Sequence, residues 1–141
     1  MDLSAPLTVN DKKATMELLG KIDGIDTIAA LQRIGGDIVF YRKLLMHFVA
    51  EQTAAGIQVE PLLAAGDRAS AKRIVHTTKG IAATIGADAL MEAATVLEQA
   101  IRDSQENAEM LLRYTLTAAA AIAAIQQALP NEKISKLDPG C

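Results

Sequence analysis

The stretch from Lys72 to Leu90, KRIVHTTKGIAATIGADAL, gathers side chains suited to handling a phosphoryl group. His76 has Lys72 and Arg73 on the preceding turn, Lys79 three residues on and Gly80 four residues on. Neutral imidazole is a nucleophile near neutral pH, because its reference pKa is about 6.5. Neighbouring cations lower that pKa and keep the ring neutral, and they also attract the strongly negative phosphoryl group. A glycine inside a helix costs roughly 1 kcal/mol relative to alanine. Gly80 therefore implies a need for space, since a side chain there would crowd the imidazole and any surface docked against it.

A helix turns by roughly 100° per residue. On that count Ala71, Ile74, Thr78, Ile81 and Ile85 form an apolar stripe. His76 falls opposite it, with Lys72, Lys79 and Ala83 on the same outward face and Arg73 and Gly80 just around the curve. By spacing alone, a surface histidine among lysines is a common arrangement that need have no role. The other histidine, His47, adjoins the apolar stripe at Phe48 and reads as structural or partly exposed. No second histidine and no cysteine stands at ligand spacing, so no metal site is expected. No glycine-rich turn ends in Gly-Lys-Ser or Gly-Lys-Thr, so no ATP site and no cofactor is expected either.

The elements that must carry this face are helices. Asp26 caps a short helix that stops at Gly35 and Gly36, and Asp37 caps a longer one. Ile38, Tyr41, Leu45 and Phe48 form the stripe of the longer helix, with a disturbance expected near Gly56 or Pro61. A third helix runs from about Arg68 to Ile85, behind Asp67 as cap, and Gly86 ends it. A fourth starts near Asp88 with Leu90, Ala94, Leu97 and Ile101 on its stripe. The last spans about Ala108 to Leu129, with Leu111, Thr115, Ala118, Ile122, Ile125 and Leu129 inward, and Pro130 stops it. This predicts an all-α protein, an antiparallel up-and-down four-helix bundle with a short N-terminal helical extension. The expected organisation is an extension or linker over 1–22, the bundle over 23–129 and a frayed tail over 130–141.

Composition agrees. A chain of 141 residues suits one domain, and a core with 3 % aromatics and no tryptophan suits packed helices. The net charge of -3 argues against nucleic acid as a partner. The single cysteine, Cys141, excludes an internal disulfide and reads as a tail residue without a role. The N-terminus MDLSAPLTVNDKK is too polar for a signal peptide, and the longest apolar run, Ala118–Ile125, is too short to cross a bilayer. A cytoplasmic, monomeric chain without direct membrane contact is expected, either freestanding or as the cytoplasmic part of a membrane-bound protein.

The segment AKRIVHTTKGIAATIGADALMEAATVLEQA resembles the histidine-containing phosphotransfer (HPt) domain of bacterial multistep phosphorelays. The resemblance rests on His76, Lys79, Gly80, Gly86, Ala87, Leu90, Leu97 and Glu98. It extends upstream through GIDTIAALQRIGGDIVFYRKLLMHF and LLAAGD, covering about residues 23 to 127. It implies that His76 accepts a phosphoryl group from the phospho-aspartate of one response-regulator receiver domain and passes it to the aspartate of another. It implies that Lys79 steadies the phosphoryl group or docks the acidic receiver pocket, that Gly80 keeps the ring accessible, and that Lys72, Arg73 and Ala83 lie where the receiver binds. The magnesium ion belongs to the receiver. Such domains often close a hybrid sensor kinase.

Two other readings compete. The phosphoacceptor bundle of a histidine kinase also carries a histidine, but there an acidic residue typically follows it and a proline comes five residues on. Here Thr77 and Ile81 hold those places. A bundle that binds receivers without being phosphorylated would be marked by loss of the histidine, and His76 is present.

Overall fold

A computed structural model describes residues 22–129; the expected N-terminal extension before Ile22, the tail after Leu129 and Cys141 lie outside the described residues. The chain there is helical: α1 Thr27–Arg33, α2 Ile38–Ala55, α3 Val59–Ala64, α4 Arg68–Ile85, α5 Asp88–Arg102 and α6 Ala108–Ala128. The four long helices close a ring in which α2 packs on α4, α4 on α5, α5 on α6, and α6 on α2. Short α1 lies against α4.

Local chemistry sets the helix ends. The carboxylates of Asp26, Asp37 and Asp67 accept from the backbone N–H groups of Ala29, Phe40 and Ser70, capping α1, α2 and α4. The expected disturbance after α2 is a 3-10 turn, Gly56–Gln58, that leads directly into α3. Pro61 is the third residue of α3, where its missing N–H falls among donors that have no helical partner anyway. Gly86 ends α4 at φ 90°. Its carbonyl accepts from the N–H of Asp26 at 2.9 Å, and a β-carbon on it would stand 2.4 Å from the Asp26 carbonyl oxygen. Only a residue without a side chain fits between the end of α4 and the start of α1.

The core is built from residues such as Tyr41, Leu45, Phe48, Val75, Ile85, Leu90, Leu97 and Ile125. Two stripes differ from the sequence reading. On α4 the buried line is Ala71, Val75, Thr78, Ala82 and Ile85, while Ile74 and Ile81 stand half-buried at its edge. The helix is turned so that small Ala82 rather than Ile81 meets the bundle. On α6 the buried line includes Tyr114, and Thr115 is exposed. Tyr114 is drawn inward by a polar junction beneath the outward face of α4. The Thr78 hydroxyl accepts from Tyr114 Oη and from Gln52 Nε2, each at 2.9 Å, and donates to the Ile74 carbonyl at 3.0 Å. Gln52 Oε1 is buried and has no partner. Tyr41 donates to the Ile85 carbonyl at 2.6 Å and ties α2 to the far end of α4.

By length and composition alone α6 could cross a membrane, with a mean hydropathy of 1.3 over its best window. In the bundle α6 packs on α2 and α5 along one face.

Candidate functional site

His76 sits midway along α4 with 68 % of its side chain exposed. With Val75 and Ala82 in the buried line, it lies about 140° from the centre of that line rather than opposite it, and so leans toward α5. There its Nδ1 stands 2.8 Å from Oε2 of Glu98. Glu98 occupies the edge of the apolar stripe of α5 and is only 7 % exposed. An acid buried to that degree is found almost only where it is paired. Lys79 Nζ lies 3.5 Å from its other oxygen, and Arg102 Nη2 lies 3.7 Å from Oε2. Burial pushes the Glu98 carboxyl up, but the hydrogen bond from His76 and the nearby charge of Lys79 are among the contacts that outweigh it and hold the group below its usual value.

An ionised carboxylate can only accept, so Nδ1 must carry the proton and donate it to Glu98. This assigns the tautomer from the partner. In the neutral ring Nε2 then keeps its lone pair, on a ring fixed at its other nitrogen. The site thus contains a nucleophilic nitrogen, a buried carboxylate that fixes the tautomer, and two cations held by the same carboxylate.

The expected frame of cations around the ring needs correction. The group the ring touches is a carboxylate, and Lys79 reaches the ring only through Glu98. Among the described residues the side chains of Lys72 and Arg73 make no hydrogen bond and no ion pair within 4 Å. They line a groove of about 670 Å³ with His76, Glu98, Arg68 and Arg102. Arg68 is committed elsewhere, donating to both oxygens of Glu106 and to the Ile101 carbonyl. Its hydrogen bonds hold the Glu106 carboxyl down to about 2.

Gly80 and Ala83 are exposed on the other side of His76. A β-carbon on Gly80 would meet nothing within 4 Å, so an alanine there would not crowd the imidazole. Nothing in the chain itself requires the glycine. Arg33 donates to the Ala83 carbonyl at 2.6 Å and adds a cation at that end of the face. On the far flank a second groove of about 480 Å³ runs between α2 and α4, lined by His47, Ile74, Thr77, Ile81 and Thr84 among others. Among the described residues no three His, Cys, Asp or Glu side chains gather as a metal site would need.

Glu98, Arg102 and Arg33 received no role from sequence. Glu98 carried a signal: a charged residue within an apolar stripe implies a buried partner. Arg102 and Arg33 carried none, because their places depend on how helices pack.

The role of Glu98 can be measured. Glu98→Gln keeps the shape but offers Nδ1 either an acceptor or a donor, so the tautomer preference is lost. Nitrogen-15 spectra of the ring are expected to show the Nε2–H form gaining population. An unchanged tautomer would show that Glu98 does not set it.

A family model described as Hpt domain matches residues 43–129, more than half of the chain. No curated protein and no solved structure matches.

Proposed function

The chain belongs to the Hpt domain family, and from that premise we propose that His76 is its phospho-acceptor, loaded by the phospho-aspartate of one receiver domain and unloaded onto the aspartate of another. Hpt domains act in two-component phosphorelays by histidine phosphotransfer, lack an ATP site of their own, and interact with response-regulator receiver domains. The observation that carries the finer reading is the exposed ring whose Nδ1 is held by buried Glu98.

The transfer follows from that geometry. The Nε2 lone pair attacks the phosphorus of the acyl phosphate. The N–P bond forms as the P–O bond to the receiver aspartate breaks, and the aspartate departs as a carboxylate. The ring gains positive charge, and Glu98, already bonded to Nδ1–H, stabilises it. The reverse sequence unloads the ring. Lys79 lies beside the ring through Glu98 and supplies positive charge near the phosphoryl oxygens. Lys72 and Arg73 attract the acidic pocket in which a receiver holds its magnesium ion. The half-buried Ile74 and Ile81 offer apolar surface on the far flank.

Phosphate mapping tests the assignment. After incubation with a phosphorylated receiver, the chain is expected to carry acid-labile phosphate at His76. With ATP and magnesium alone it is expected to carry none. Label at His47, or label from ATP that survives removal of contaminating kinases, would overturn the reading.

Gly80 gives a second test. Because a β-carbon there meets open space, Gly80→Ala is expected to stabilise the domain by up to about 1 kcal/mol. Gly80→Gln is expected to stay folded and to lose transfer about tenfold or more, because its side chain obstructs an approach that needs reacting atoms within about 3.5 Å. The paired readout is thermal midpoint and transfer rate. Wild-type transfer by folded Gly80→Gln would remove access as the reason for the glycine.

A further inference from the structure

We propose that the outer face of α6 pairs with α6 of a second copy of this chain, antiparallel and about a two-fold axis, to form a weak dimer.

Helix α6 has two apolar faces. Tyr114, Ala118, Ala121 and Ile125 make the buried one. At roughly 100° per residue, Leu112, Leu116, Ala119 and Ala123 fall on the opposite side. All four are exposed, the leucines by 58 % and 57 %. No charged residue stands between Arg113 and Pro130. A helix face that meets only water carries polar and charged side chains. The other long helices follow that rule, with Lys43, Arg73 and Glu92 exposed on α2, α4 and α5.

The order of the residues says what covers the face. Leu112, Leu116, Ala119, Ala123 and Gln126 succeed one another by four, three, four and three positions. That alternation is the spacing of a seam between two helices. The large residues lie in its first half and the small ones in its second. A two-fold axis midway along the stripe sets Leu112 against the partner's Ala123 and Leu116 against the partner's Ala119. Each leucine then fills the space above an alanine. A parallel pair would crowd leucine on leucine at one end and leave a gap between alanines at the other. The stripe is therefore complementary to itself, as a two-fold interface must be. Charge agrees with this arrangement. Each Glu109 meets the partner's uncharged Gln126, and the two Glu109 side chains stand about 25 Å apart, well beyond the screening length of about 8 Å.

The stripe is about 30 Å long and one helix wide, short of the roughly 800 Å² that each partner buries in a stable complex. The dimer accordingly exchanges with monomer. Helices α4 and α6 stand at opposite corners of the ring, so the seam leaves both His76 rings facing outward.

Sedimentation of the full chain from about 10 μM to about 1 mM tests the pairing, because interfaces this small hold weakly. The mean mass is expected to rise toward that of a dimer. Leu116→Glu is expected to stay monomeric throughout with an unchanged thermal midpoint, since the side chain it replaces is exposed. Cross-linking reads the direction. In a Cys141→Ser background, a mixture of Leu112→Cys and Ala123→Cys chains is expected to form the mixed disulfide. The two Leu112 positions of an antiparallel pair lie about 16 Å apart, too far for a bond that needs Cα atoms within about 7 Å. A wild-type chain that stays monomeric to about 1 mM would overturn the proposal. So would association that survives Leu116→Glu, or disulfides formed chiefly between like positions. A monomer whose midpoint falls in Leu116→Glu would overturn it too, and would place a segment of the same chain, such as residues 1–21, on the stripe.

Discussion

His76→Gln is expected to abolish phosphoryl acceptance while leaving helical content unchanged and the thermal midpoint within about 2 °C of wild type. Its side chain is mostly exposed, so little packing is lost. Glu98 keeps Lys79 and Arg102 nearby, so its charge is not stranded. Glutamine has neither the lone-pair nitrogen nor the capacity to delocalise the charge that arrives with the phosphoryl group. Circular dichroism and a transfer assay with a phosphorylated receiver check the two halves together. Residual label on a folded variant would mean that another group accepts the phosphoryl.

Gly86→Ala is expected to destabilise the domain by roughly 3 kcal/mol and to lower the thermal midpoint by about 10 °C. Two effects add. The left-handed backbone at φ 90° disfavours any side chain, and the new β-carbon would press on the Asp26 backbone at 2.4 Å. Backbone at that distance cannot rotate away as a side chain would. Gly66→Ala separates the two, since Gly66 has φ 83° with open space around a β-carbon and is expected to lose only about 1 kcal/mol. The comparison is read from thermal or denaturant midpoints. Equal losses at the two positions would show that Asp26 and α1 give way, and that the contact between the end of α4 and the start of α1 is soft.

The features legible in the sequence were those decided within a few residues. Asp26, Asp37 and Asp67 bond to N–H groups three positions on, and Gly86 stops a helix by its own backbone. The outward placement of His76 was legible too, because any rotation that buries Thr78 and Ile85 leaves residue 76 outside. The rotation itself was not. Ile74 and Val75 are both apolar neighbours, as are Ile81 and Ala82, so hydrophobicity alone cannot choose between two lines about 100° apart. Close helix packing chose the line with the smaller residue, Ala82. The same ambiguity lay between Tyr114 and Thr115, decided by a hydroxyl on another helix. In the site, Lys79 and Gly80 share a helix with His76 and could be counted off. Glu98 and Arg102 come from the next helix, and what they touch is set by tertiary packing.

The Thr78 junction bears on how the histidine meets a partner. A threonine hydroxyl has one hydrogen and two lone pairs, and all three are engaged, by Ile74, Gln52 and Tyr114. Rolling α4 about its axis would break the contacts to α2 and α6 together and leave their polar groups buried without partners. The azimuth of the helix is therefore keyed from inside, two residues past His76. The bearing of the imidazole is settled before any encounter, so docking has little rotational freedom left to remove from this side of the complex. An incoming domain has to find the ring, but it does not have to aim it.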